Sequence, residues 1–205
     1  MSDAVRGASL RHCPGLTVRT QQDLDDARDC EIIDDDLTFR PTTLERVNAD
    51  ALPQLQKVTG SVLSGGATTL TEITLPALRE VGSSPDDILS IGFDAHTLER
   101  VALPMLESVD GSLGIAALGG LRELDLGSLT TVTGNFGLLN LPSLVDVRIG
   151  PDVNAGGRAE FQLLCHVPSS ALPSASGFDA ATLTVRDIGC CTVDAVACAG
   201  TCQCQ

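Results

Sequence analysis

The apolar positions of this chain recur in short units, not along one continuous helix or strand. Aligned on the first strong leucine of each, the units start at Leu44, Leu70, Leu98, Leu121 and Leu144, so successive gaps are 26, 28, 23 and 23 residues. Within a unit the order is L-x-x-V-x-L-P-x-L-x-x-V-x-G-x-L-x-I. The third copy supplies Leu98, Val101, Leu103, Pro104, Leu106, Val109, Gly111, Leu113 and Ile115. The fourth supplies Leu121, Leu124, Leu126, Leu129, Val132, Gly134, Phe136 and Leu138, with Gly127 where proline stood.

The breakers decide between helix and strand. The best helical candidate, TTLERVNADALPQLQKV, places Leu44, Val47, Leu52, Leu55 and Val58 at near-heptad spacing. Yet Pro53, Pro76 and Pro104 fall in the middle of each comparable run. There a helix would lose a hydrogen bond and meet the proline ring against its preceding turn. The closing pairs Leu37/Phe39, Leu113/Ile115 and Phe136/Leu138 alternate with period two, which is the strand signature. The pattern predicts several short strands per unit.

A unit of about 25 residues built this way is one coil of a solenoid. It is too thin to bury its own leucines, so it must stack on a neighbour, and equivalent positions then form apolar columns. Each buried Leu or Val contributes roughly 1.5–3 kcal/mol. Gly60, Gly111 and Gly134 read as corners whose backbone is strained for other residues. Pro53, Pro76 and Pro104 read as strand ends, where a missing donor costs little. The expected organisation is one structural domain: a cap segment over 1–36, solenoid repeats over 37–160, and a final coil with a Cys-rich cap over 161–205. Two stretches interrupt the repeat, GSSPDDI at 82–88 and GPDVNAGGRAE at 150–160. Both are expected to bulge as surface loops, the usual place for recognition.

Composition narrows the core. Aromatics are 2% of residues, with no Trp, no Tyr and five Phe, so the interior must be aliphatic and its layers thin and regular. The formal net charge of −14 repels phosphate backbones and anionic headgroups, which removes nucleic acid from the expected partners. No apolar run is long enough to span a bilayer, so membrane insertion is not expected.

Cysteines cluster at both ends: Cys13 and Cys30, then Cys165, Cys190, Cys191, Cys198, Cys202 and Cys204. An even number gathered at the termini points to disulfide-stapled end caps of an exported protein. Zinc is the competing reading, but no C-x-x-C knuckle is present, only the adjacent pair Cys190-Cys191 and Cys202-x-Cys204. The six later cysteines would form three bonds among 15 possible connectivities. The opening MSDAVRGASLRH has no hydrophobic leader segment. The expectation is therefore a mature secreted or cell-surface chain whose leader lies outside this stretch.

The segment CPGLTVRTQQDLDDARDCEIIDDDLTF, Cys13 to Phe39, resembles the opening of receptor L-domains. That family brackets a capping segment with a cysteine pair and follows it with C-x-x-I-x-G-x-L-x-I. The matching residues are Cys30, Ile33, Asp35, Leu37 and Phe39, with Asp35 in the usual glycine position. The repeated L-P-x-L-x-x-V-x-G-S-L is similar to the same family, which includes bacterial and fungal cell-surface members. The resemblance covers roughly 13 to 190 and implies a right-handed parallel β-solenoid of short strands, close to leucine-rich repeats. It also implies a Cys13–Cys30 bond, contributing about 3 kcal/mol by loop-closure entropy. Family members bind protein ligands through faces and loops. Eight acidic residues lie between 23 and 36. Calcium favours such oxygen ligands, but the spacing is not that of a known calcium loop, and a solvated cap favouring a short helix start is the preferred reading.

Catalytic signatures are missing from the sequence. His12, His96 and His166 are isolated, and neighbours such as Cys165 and His166 point oppositely on a strand. No nucleophile elbow, phosphate loop or dinucleotide fingerprint occurs. Glu99, Glu107, Glu123 and Asp125 sit at outward positions of separate coils and read as solvation. The leading expectation is a non-catalytic extracellular or cell-surface recognition or adhesion module binding a protein or glycan. The alternatives are a structural envelope protein that self-associates, and a carbohydrate-active enzyme on a β-helix.

Overall fold

A computed structural model of the chain describes residues 9–66, 69–92, 95–164, 166–167 and 178–188, the last stretch by its backbone alone. The fold is a parallel β-solenoid of about six turns. Its strands stack into a twelve-stranded sheet and a five-stranded sheet. The repeat read from the sequence becomes the register of these sheets. On the long sheet Ile33, Val58, Val81, Val109, Val132 and Ala155 pair in sequence, one per coil. A second column runs Leu37, Val62, Leu89, Leu113, Phe136 and Ala159. On the short sheet Val47, Ile73, Val101, Leu124 and Val147 pair likewise. All of these side chains are buried. The columns fuse into one core, as the thinness of a single coil demands.

Leucines of the L-P-x-L motif turn the chain between the sheets. The N–H groups of Leu55, Leu78 and Leu106 donate to the carbonyls of Leu52, Leu75 and Leu103 at 3.4, 3.4 and 3.1 Å. Pro53, Pro76 and Pro104 thus hold the second position of four-residue turns. Proline's fixed φ suits that position and no donor is needed there. The turn that follows Leu126 closes in the same way, Leu129 N–H to Leu126 carbonyl at 3.0 Å, with Gly127 in the proline's place.

The glycines divide by cause. Gly111 has φ +131°, in the region where L side chains are strained. Gly60 and Gly134 have no positive φ; an added Cβ would instead stand 2.7 Å from the Asp35 carbonyl carbon and 2.8 Å from the Gly111 carbonyl oxygen. Their N–H groups donate to the Asp35 and Gly111 carbonyls at 3.1 and 2.7 Å. For these two positions the strained corner gives way to close approach between coils.

The expected loop at 150–160 is corrected by the structure. Val153–Leu164 is one continuous strand, with Val153, Ala155, Ala159 and Phe161 facing the core. Gly156 and Gly157 lie there because Cβ atoms would meet the Thr133 carbonyl at 2.4 Å and the Gly134 carbonyl carbon at 3.0 Å. The 82–88 insertion folds back as a tight turn: the Asp87 carboxylate accepts the N–H groups of Ser83 and Ser84, each at 2.9 Å.

The stack also begins early. His12–Val18 pairs in parallel with Ile32–Phe39, and the short helix Gln21–Asp26 joins them, burying Leu24. In the second of these strands Asp35 has φ 108°, at the position where the resembled motif carries glycine. A residue with a side chain is strained by about 1–3 kcal/mol in such a region, more than the roughly 0.5–1 kcal/mol that glycine's flexibility costs. Asp35→Gly is therefore expected to stabilise the fold by about 1 kcal/mol, read as a higher denaturant midpoint. A lower midpoint would show that the aspartate side chain itself matters.

Candidate binding surface

The N-terminal cap places the acidic run first. Thr20 and Asp23 form a reciprocal capping pair at the helix start: Asp23 N–H donates to Thr20 Oγ1 at 3.4 Å, and the Asp23 carboxylate accepts the Thr20 N–H at 2.8 Å. It also accepts the Arg19 N–H at 2.8 Å. These bonds, that from Arg19 foremost, hold the Asp23 carboxyl below its ordinary range. Asp25 and Asp26 accept from Gln21 and Gln22 at 2.9 and 2.7 Å. Asp29 pairs with Arg11 at 2.8 Å, Asp34 with His12 at 2.9 Å, and Asp36 accepts the Ser61 N–H at 2.7 Å. Among the described residues no three His, Cys, Asp or Glu side chains come together as metal ligands.

A folded-state pKa below the unfolded value means that the Asp23 contribution is complete once the unfolded carboxylate is ionised, above about pH 4. It is lost as pH falls through the lower folded value. Protection of the Arg19 and Thr20 amides, taken relative to their intrinsic exchange rates, is thus expected to fall as pH drops below about 4. Asp23→Asn, which keeps an acceptor but no proton to gain, should flatten that dependence; an unchanged profile in the variant would assign it elsewhere.

Cys13 and Cys30 are joined, their Cα atoms 5.9 Å apart. Cys165, Cys190, Cys191, Cys198, Cys202 and Cys204 lie outside the described residues, as does the Cys165 half of the neighbouring Cys165–His166 pair. His96 and His166 are exposed.

Two outer faces remain. On the short sheet, Arg46, Glu72, Arg100 and Glu123 follow one another in register with alternating sign. Arg100 pairs with Glu123 and lies 3.9 Å from Glu72; Arg148 reaches Asp125 at 3.6 Å, around a recess of about 230 Å³. On the flank of the long sheet Arg79 pairs with Glu107. Of the acids expected to serve only solvation, Glu107, Glu123 and Asp125 bridge neighbouring coils. Such exposed pairs are worth little individually, but they match charge from coil to coil. Sequence reasoning missed them because partners stand 23 or 28 residues apart; the repeat length was the available signal.

The long sheet has a different exterior. Behind the buried row Leu89, Leu113 and Phe136 it carries a hollow of about 410 Å³, lined among others by Ser90, Ser112, Gly114, Asn135, Gly137 and Glu160. Gly114 and Gly137 are register partners on its floor. Neither was singled out from the sequence, where they occupy outward positions of the repeat.

Fold and surface together define a disulfide-bonded parallel β-solenoid with one charge-paired face and one hollowed face. Among the described residues no helix is long and apolar enough to cross a membrane. The chain is similar to protein ecm33 of the fungus Aspergillus fumigatus, with 27% identity over 165 residues. The match takes in 77% of this chain but 37% of that protein, so the chain spans little more than a third of its relative's length. No family profile matches the chain, and no solved structure gives a significant match.

Proposed function

We propose that the chain is a non-catalytic recognition module of a secreted or cell-surface protein, binding a protein or glycan. The observation that carries this reading is the shallow, open hollow of about 410 Å³ on the outer face of the long sheet, whose volume falls in the range of ligand sites. The Cys13–Cys30 bond supports an oxidising destination. The likeness to ecm33 and the resemblance of the Cys13–Phe39 segment to receptor L-domains support the same assignment. Surface labelling of intact cells that make the protein, followed by non-reducing peptide mapping, tests it. Labelling together with an intact Cys13–Cys30 bond is expected. A reduced protein recovered only from the cytosol overturns the proposal.

A further inference from the structure

Glycine weakens the interior of a strand, and where it persists there a backbone or ligand often approaches closely. At Gly156, inside a strand, and at Gly60, Gly134 and Gly150, outside one, the neighbouring coil is the reason, since an added Cβ would meet other atoms at 2.4, 2.6, 2.5 and 1.8 Å. At Gly114 and Gly137 that reason fails. A Cβ on Gly114 would meet nothing within 4 Å, and one on Gly137 only the Leu139 side chain at 3.8 Å. Neither residue has a positive φ. The fold tolerates side chains at both places, yet both are bare, side by side, and their bareness makes the hollow.

The register gives the hollow its length. Ser90 pairs with Gly114, Gly114 with Gly137, and Gly137 with Glu160, so the trough crosses four coils. At the usual strand spacing this is about 14 Å. One wall is held in place from beneath. Ser112 Oγ accepts the Asn135 N–H at 3.1 Å, and Asn135 Oδ1 accepts the Arg158 N–H at 2.8 Å. Each side chain is fixed by accepting, and the Ser112 hydroxyl proton and the Asn135 amide hydrogens remain as donors. At the far end the Arg158 guanidinium stands 3.5 Å from the Glu160 carboxylate, so the trough's charges cancel.

We infer that this trough binds a short segment of a neutral, linear glycan laid across the coils. The inference rests on the recognition reading above and names its ligand class. A smooth floor fits the flat face of a pyranose, the wall offers hydroxyl and amide partners, and one sugar of an extended chain advances by nearly the spacing between strands, roughly 4.8 Å. Charge selects against polyanions, since the local charges are balanced and the whole chain carries −14. A peptide strand would need free backbone partners, which the interior of a hydrogen-bonded sheet does not supply.

Calorimetry of the full chain against hexasaccharides of β-1,3-glucan, β-1,4-glucan, α-mannan and chitin, with hexagalacturonate as the charged comparison, tests the inference. At least one neutral hexamer is expected to bind. Gly114→Leu and Gly137→Leu should weaken it tenfold or more without lowering the unfolding temperature. Asn135→Asp, which keeps the acceptor for Arg158 N–H and removes the donor, should also weaken it; this variant decides the matter if the leucine variants do not fold. Undiminished binding by the variants overturns the trough while leaving the recognition reading intact. Binding of hexagalacturonate alone, or of no hexamer, also overturns the inference, whereas the recognition reading falls only if the protein proves reduced and cytosolic.

Discussion

Phe136→Ala is expected to lower folding stability by about 3–5 kcal/mol. The ring is fully buried and lies in register between Leu113 on one coil and Ala159 on the next. Because Ala159 is small, the ring reaches across to Phe161, edge to face, with centroids 5.4 Å apart and planes at 82°. Truncation would leave a void that Ala159 cannot fill, and it would remove an aromatic pair worth about 0.5–1.5 kcal/mol beyond its buried area. Phe136→Leu, which continues the column of Leu89 and Leu113, should cost less than about 1.5 kcal/mol. Since each coil contacts only its neighbours, the alanine variant should also broaden the denaturation curve as coils on either side uncouple. Equal losses for the alanine and leucine variants would show that the site closes up around a missing ring.

Gly111→Ala should cost a further large amount, about 2–4 kcal/mol, by strain rather than by a void. Its φ of +131° disfavours any side chain, and the new Cβ would stand 1.9 Å from the Asp87 carbonyl oxygen, a backbone atom of the adjoining coil. That carbonyl also accepts the Ser112 N–H at 3.1 Å, so retreat would break a bond between coils. Three residues away, Gly114→Ala supplies the contrast. It meets open space and should be neutral or stabilising by about 0.5–1 kcal/mol. Chemical denaturation of the pair reads both; similar midpoints for the two variants would refute the distinction.

The contrast shows what the sequence could disclose. Inward positions were legible because burial imposes the same demand on every coil: Leu89, Leu113 and Phe136 are equivalent letters in equivalent places. Outward positions carry no such demand, so Gly114 and Gly137 looked like any other variable residues. Gly156 and Gly157 were misread for a related reason. Two adjacent glycines signal a loop locally, and only the pairing with Thr133 and Gly134, a full repeat away, reveals a strand that must pass close to its neighbour. The ion pairs between coils were hidden in the same way. The acidic cap was read more fully, since a helix start depends on near neighbours alone, and Thr20 and Asp23 are three residues apart.

Parallel stacking also sets how the molecule bears load. Strands lie across the long axis, so the hydrogen bonds between coils point along it, and tension on the two ends would peel them apart in succession instead of shearing many at once. Each coil released would add roughly 80 Å of slack, from 23 or so residues at about 3.5 Å each. The Cys13–Cys30 link withholds the stretch between those residues from this extension. Pulled at its ends, such a stack would lengthen in steps, with its first coil locked.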